Sequence, residues 1–91
     1  MIYTIELTEK AQEDTIYLKK YELALYKKLT KLLIELMEHP YRGTGKPEQL
    51  KYELIGRYSR RIDKKNRLIY RINEGMKTVF ILSAKGHYYD K

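Results

Sequence analysis

The sequence contains no cysteine and no tryptophan, and only two prolines, two histidines and one phenylalanine. The absence of cysteine excludes disulfide staples and thiolate metal ligands and suits a reducing cytoplasm. No pair of histidine or aspartate residues has metal-ligand spacing, so neither a metal nor a cofactor is expected. No glycine-rich loop follows a strand and opens a helix, so "GTGK" is read as a plain loop and not a nucleotide-binding fingerprint. No apolar run approaches the ~20 residues that span a bilayer. "MIYTIELTEK" lacks a basic leader and alternates apolar with polar residues, so it is not read as a signal peptide, and no membrane association is expected. Repeats, low-complexity tracts and linkers are also missing. Residues 1–91 are therefore read as one domain.

What the chain has in excess is positive charge: 19 lysines and arginines against 12 acidic residues, a net +7. A field of that size on so small a body favours an anionic partner, nucleic acid foremost. The 43% hydrophobic content is that of a folded protein, although a domain this short can build only a modest core.

Up to Leu7 the chain alternates, with Ile2, Thr4 and Glu6 opposite Tyr3, Ile5 and Leu7, as in a strand. Thr8 is placed to cap a helix that carries Ala11, Thr15 and Leu18 on one side. Glu9, Glu13 and Asp14 fall in its first turns, where the helix dipole favours negative charge. After a turn near Tyr21 and Glu22, Leu25, Leu29, Leu32, Leu33 and Leu36 form the apolar stripe of a second helix, from about Leu23 to Glu38. Lys27, Lys28 and Lys31 lie off that stripe. Pro40 ends the helix, and His39 is read as a residue interacting with its last carbonyls. "PYRGTGKPEQ" reads as a loop. Strands are predicted at Leu50–Leu54, Arg57–Asp63, Arg67–Asn73 and Lys77–Ala84. The order β-α-α-β-β-β-β predicts an α+β domain, a mostly antiparallel sheet with two helices on one face.

Arginines interrupt these strands. In 67–73, Leu68, Tyr70 and Ile72 form the apolar set. In 57–63, Tyr58 and Ile62 do so if Arg60 is an exception at an edge. An odd loop is needed to keep both sets on the helix side. Lys64-Lys65-Asn66 is taken as that loop, with Asn66 in the left-handed conformation. Arg61, Arg67 and Arg71 then share the face away from the helices. Like charges so placed repel, a cost more readily explained by a bound anion than by the alternative, a solvated basic face.

Glu48, flanked by Lys46 and Lys51, is expected to stay ionised as a proton acceptor. Metal-free RNA cleavage needs a base for the 2′-hydroxyl, an acid for the leaving 5′-oxygen and cations around phosphorus. Glu48, His87 and the pair Arg61 and Arg67 are one candidate for each role.

"GTGKPEQLKYEL", "YSRRIDKKNRLIYRI" and the late "HYY" together resemble the YoeB/Txe toxins of the RelE/ParE superfamily over nearly the whole chain. The resemblance implies the RelE-like microbial RNase fold. It also implies a toxin of a type II toxin–antitoxin system that cuts mRNA in the ribosomal A site and is neutralised by an acidic YefM-like antitoxin, with a homodimer as the default assembly. It implies Glu48 as base, His87 as acid, Arg61 and Arg67 as phosphate stabilisers, Tyr88 as a positioning residue and a phosphate contact for Lys51. Lys27, Lys28, Lys64 and Lys65 are expected to meet rRNA backbone, with Lys46 and Arg71 as further RNA contacts. The chain departs from the family pattern at Tyr58, where tryptophan is common, at Gln49, where proline is common, and in continuing past Tyr88 through Tyr89, Asp90 and Lys91. The same fold also admits a ParE-like gyrase inhibitor or a catalytically silent RNA- or antitoxin-binding module.

Overall fold

In the computed structural model, which describes residues 2–45, 47–52 and 55–86, the alternation at the start of the chain becomes strand β1, Thr4–Leu7. Tyr3 is buried and Ile5 and Leu7 pack against the core. Thr8 is the expected cap: its Oγ1 accepts from the Ala11 amide at 3.2 Å and donates to the Leu82 carbonyl at 3.1 Å. Helix α1, Glu9–Tyr21, buries Ala11 and Leu18. Asp14 does more than complement the dipole. It is 7% exposed and accepts from the Ala84 amide at 2.9 Å and from Lys10 Nζ at 2.7 Å, tying α1 to the far end of the sheet.

Glu22 breaks the chain between the helices. Helix α2 runs Leu23–Glu38 and buries Leu29, Leu32 and Leu36, with Lys27, Lys28 and Lys31 exposed. His39 ends it: its amide donates to the Glu35 carbonyl at 2.7 Å while the residue stays exposed. No helix among the described residues is long and apolar enough to cross a membrane.

Strands β2 (Glu48–Gln49), β3 (Tyr58–Arg61), β4 (Arg67–Asn73) and β5 (Thr78–Ser83) complete the expected order. The sheet runs β1-β5-β4-β3-β2; β1 is parallel to β5 and all other pairs are antiparallel. Both helices cover one face. The core there joins Leu18, Leu29, Leu32 and Leu36 to Ile62, Leu68, Tyr70, Val79 and Ile81.

Three expectations are corrected. The strand placed at Leu50–Leu54 is not seen in its described part. The pairing segment is Glu48–Gln49, inside what was read as loop. Leu50 still donates to the Arg57 carbonyl at 2.8 Å, but Tyr52 turns left-handed at φ 58° and ends the ladder. The β3–β4 connection is also shifted. Arg61 pairs with Arg67, and the Ile62 amide donates to the Asn66 carbonyl at 2.9 Å, so the three-residue loop is Asp63-Lys64-Lys65. The parity survives, because the loop length stays odd. Asn66 does not turn left-handed; Tyr52 and Lys77 are the described non-glycine residues that do. Asp63 makes the difference: its Oδ1 accepts from the amides of Lys65 at 2.8 Å and Asn66 at 2.7 Å, closing a turn that needs no positive φ.

The third correction concerns Arg60. It is not an exception at an edge but the largest fully buried side chain described, at 0% exposure, on the helix side with Tyr58 and Ile62.

Candidate functional site

Strands β2, β3 and β4 lie side by side, and the pairing sets which residues meet on the face away from the helices. Glu48 is opposite Ser59, Ser59 is opposite Ile69, and Arg61 is directly opposite Arg67. Side chains two apart on a strand share a face, so Glu48, Arg61 and Arg67 project together. They line a concavity of about 220 Å³ with Pro47. Glu48 Oε1 lies 3.9 Å from Arg67 Nη1; the Arg67 side chain is 14% exposed and that of Glu48 54%. Ser59 and Ile69, at the centre of this face, are buried. Small Ser59 sits between Arg57 and Arg61, whose stems can cover apolar surface while their heads stay wet. Arg57 and Arg61 therefore stand above a filled floor, with the largely buried Arg67 beside them.

Two like charges directly across a strand pair destabilise the sheet. The carboxylate of Glu48, 3.9 Å from Arg67 Nη1, offsets part of this repulsion. Such a place can take up a phosphate, with a carboxylate beside it to accept a proton.

The other candidates are distributed as follows. Arg71 shares the face but not the concavity. It lines a separate groove of about 550 Å³ with Thr8, Ile72, Asn73, Glu74, Phe80 and Leu82. Lys51 is exposed just past β2. Lys64 and Lys65 are exposed on the turn, and Lys28 is close enough for its charge to act on Asp63. Burial would raise the Asp63 pKa, but the amides of Asn66 and Lys65 outweigh it and hold the carboxyl below its ordinary value. Lys28 also lines a groove of about 330 Å³ on the helix side with Lys31, Leu32, Glu35 and Thr44. Lys27 is exposed on α2. Lys46, His87 and Tyr88 lie outside the described residues, as do Tyr89, Asp90 and Lys91. The chain leading to residue 87 is well held: Arg67 N–H donates to the Gly86 carbonyl at 2.9 Å, and Gly86 N–H donates to Asn66 Oδ1 at 2.9 Å.

Sequence reasoning missed the polar framework behind this face. Arg60 Nε donates to Tyr70 Oη at 3.1 Å, Nη1 to Glu35 Oε1 at 2.7 Å, and Nη2 to the carbonyls of His39 and Arg42, the latter at 2.7 Å. Tyr70 stacks on Tyr58, with ring centroids 5.8 Å apart. Tyr41 packs edge-on against Tyr58 and shares Glu74 Oε2 with Tyr3, while Lys77 holds Oε1 at 2.7 Å. Hydrogen bonds from Lys77, Tyr41 and Tyr3 bring the Glu74 pKa down to about 2. Burial and the bond to Glu74 push Tyr41 above the usual tyrosine value. The signal for Arg60 was present in its parity: a charge at an apolar-face position persists only with partners.

Residues 7–88 match the family described as a YoeB-like toxin of bacterial type II toxin–antitoxin systems. The chain is similar to a toxin YoeB of Streptomyces coelicolor, 33% identical over 84 residues, 92% of this chain and 98% of that protein. It is also similar to a toxin RelK of Mycobacterium tuberculosis, 36% identical over 85 residues, 93% of this chain and 98% of that one. Among solved structures, a YoeB/ParE toxin from Agrobacterium tumefaciens superposes with a TM-score of 0.89 at 26% identity, covering 93% of this chain and 99% of its own. A chain of the heterotetrameric YoeB–YefM toxin–antitoxin complex from Staphylococcus aureus gives 0.82 at 35% identity, covering 97% of this chain and 100% of its own. With the family matched from Leu7 to Tyr88 and the sheet carrying Glu48, Arg61 and Arg67 on one face, the chain belongs to the YoeB-like toxins of bacterial type II toxin–antitoxin systems.

Proposed function

We propose that this toxin is a ribosome-dependent mRNA endoribonuclease that cleaves by metal-independent acid–base catalysis and so arrests translation in the cytoplasm. The observation that carries the reading is the convergence of Glu48, Arg61 and Arg67 on one concavity, with a carboxylate 3.9 Å from a guanidinium. Glu48 takes the proton of a ribose 2′-hydroxyl. The 2′-oxygen attacks the adjacent phosphorus, and Arg61 and Arg67 stabilise the charge that builds on the phosphorane oxygens. His87 gives a proton to the departing 5′-oxygen, leaving a 2′,3′-cyclic phosphate and a free 5′-hydroxyl. Tyr88 positions the nucleotide. Support for the acid comes from the bond between Arg67 and Gly86, the residue before His87. A gyrase inhibitor acting only by binding would have no use for a carboxylate facing two arginines.

The concavity is smaller than the ~300–1,000 Å³ of small-molecule pockets, which suits a grip on one phosphate of a longer chain. Lys51 and Arg71, with Lys46, extend the RNA contact. Lys27, Lys28, Lys64 and Lys65 meet rRNA backbone. A YefM-like acidic antitoxin neutralises the toxin, by analogy with the YoeB–YefM complex of S. aureus; a homodimer is proposed by analogy with the YoeB dimer from the same organism. The test is single-turnover cleavage on programmed ribosomes with mapping of the new ends. Cyclic-phosphate products that disappear with Glu48→Gln support the proposal, and wild-type protein that leaves A-site mRNA intact overturns it.

A further inference from the structure

Strand β2 has two residues, both exposed. So short a strand, with neither side chain buried, does not specify its own register, and a slip of one residue would turn Glu48 to the other face. Leu50, buried just past β2 and bonded to the Arg57 carbonyl, holds its C-terminal side, and the N-terminal side needs a hold of its own. The preceding loop supplies it. Glu35, on α2, accepts from the Thr44 amide at 2.6 Å and from Thr44 Oγ1 at 2.8 Å, and the same carboxylate receives Arg60 Nη1. Arg60 also grips the carbonyls of His39 and Arg42. On the other side of β3, Arg61 N–H donates to the Gly45 carbonyl at 2.7 Å. The fit is tight: a Cβ on Gly43 would lie 2.1 Å from Glu35 Oε1, and one on Gly45 would lie 2.9 Å from the Arg61 carbonyl.

From this arrangement, and resting on the catalytic reading above, we propose that the Arg60–Glu35–Thr44 clamp is a positioning device. It sets the register of β2 from the N-terminal side and thereby presents Glu48 beside Arg67. None of the three clamp residues lines the concavity; they act through the backbone of residues 39–45. Glu35 remains ionised in this role, because the bonds from Thr44 and Arg60 outweigh burial and keep its pKa below the ordinary value.

The experiment uses Glu35→Ala in the full chain with Glu35→Gln beside it, because alanine takes the carboxylate from the buried Arg60 guanidinium while glutamine leaves it an acceptor oxygen. Two quantities are read: backbone amide exchange, and kcat and KM for cleavage on programmed ribosomes. The amides of Arg61 and Leu50, which bond across to the loop and past β2, should exchange at least tenfold faster, while those of Leu68–Ile72 stay protected. The kcat should fall by about 10- to 100-fold with KM little changed, because ~1 Å of misplacement is enough for such a loss. Glu35→Gln, which retains one acceptor oxygen, should recover part of both. Unchanged exchange at Arg61 and Leu50 in Glu35→Ala would overturn the clamp. Accelerated exchange with kcat unaltered would overturn its positioning role. A wild-type protein without cleavage would instead refute the nuclease reading, and the exchange result would then decide the register claim alone.

Discussion

Strand β3 carries two consecutive arginines, and the sheet gives them opposite surroundings. Arg60 points to the helix side, is 0% exposed, and spends its donors on Glu35, Tyr70 and two loop carbonyls. Arg61 points the other way and lines an open concavity opposite Arg67. The same side chain is structural scaffold on one face and an outward-facing cation on the other. A buried charge must be fully partnered within the protein, because nothing else there solvates it. A rim charge keeps its hydration and remains available to an incoming anion.

The largest effect expected from breaking this contrast is on stability. Arg60→Ala should lower the unfolding free energy by about 3–5 kcal/mol, since it strips the partner from a buried network. Arg61→Ala should change it by less than about 1 kcal/mol. Urea titrations of both proteins check this, and equal losses would dissolve the contrast between the two faces. The mirror-image result is expected in function. Arg67→Ala should slow single-turnover cleavage by ~10²–10³ while leaving ribosome affinity nearly intact, the typical cost of removing one transition-state donor. Lysine should rescue poorly, because a point charge cannot reproduce the planar fork. Near-normal cleavage by Arg67→Ala would remove the catalytic meaning of the open face.

Smaller effects sharpen the scaffold side. Gly43 has φ 130°, and a Cβ there would run into the Glu35 carboxylate. Gly43→Ala should cost about 1–3 kcal/mol, seen as a lower Tm. The smallest effect is in acid. Glu74 has a folded pKa of about 2, well below its ordinary value, through Lys77, Tyr41 and Tyr3. A depressed carboxylate pKa contributes stability that is fully present above the unfolded value and is lost as pH falls through the folded one. The Tm difference between wild type and Glu74→Gln should therefore be greatest near neutrality and shrink from about pH 4.5 toward pH 2. A difference independent of pH would mean that the carboxylate charge contributes nothing.

The longest helix and the longest strand were legible because their periodicity is unambiguous. Helix α2 spans Leu23–Glu38 and β4 spans Arg67–Asn73, as the apolar spacing and Pro40 indicate. Arg61 and Arg67 were legible as a pair because period-two parity survives a shifted turn, and Glu48 was joined to them by the chemistry of RNA cleavage and the family resemblance. The strand Glu48–Gln49 was not legible, since two exposed residues leave no pattern to read. Asp14 was not either: helix-dipole reasoning explains a surface carboxylate, not one that receives the Ala84 amide 70 residues away.

By itself, the amino-acid order determined the local periods of the longer segments: both helices, the strands that follow Arg57, and the odd turn that brings Arg61 and Arg67 to one side. These depend on neighbours within a few residues, where backbone geometry fixes side-chain direction. Only the tertiary structure decided that Arg61 stands directly across from Arg67, that Arg71 belongs to a different groove, and that Arg60 locks the loop ahead of Glu48. Each of those rests on groups far apart in sequence, whose meeting is selected by packing density and by the requirement that every buried polar group find a partner.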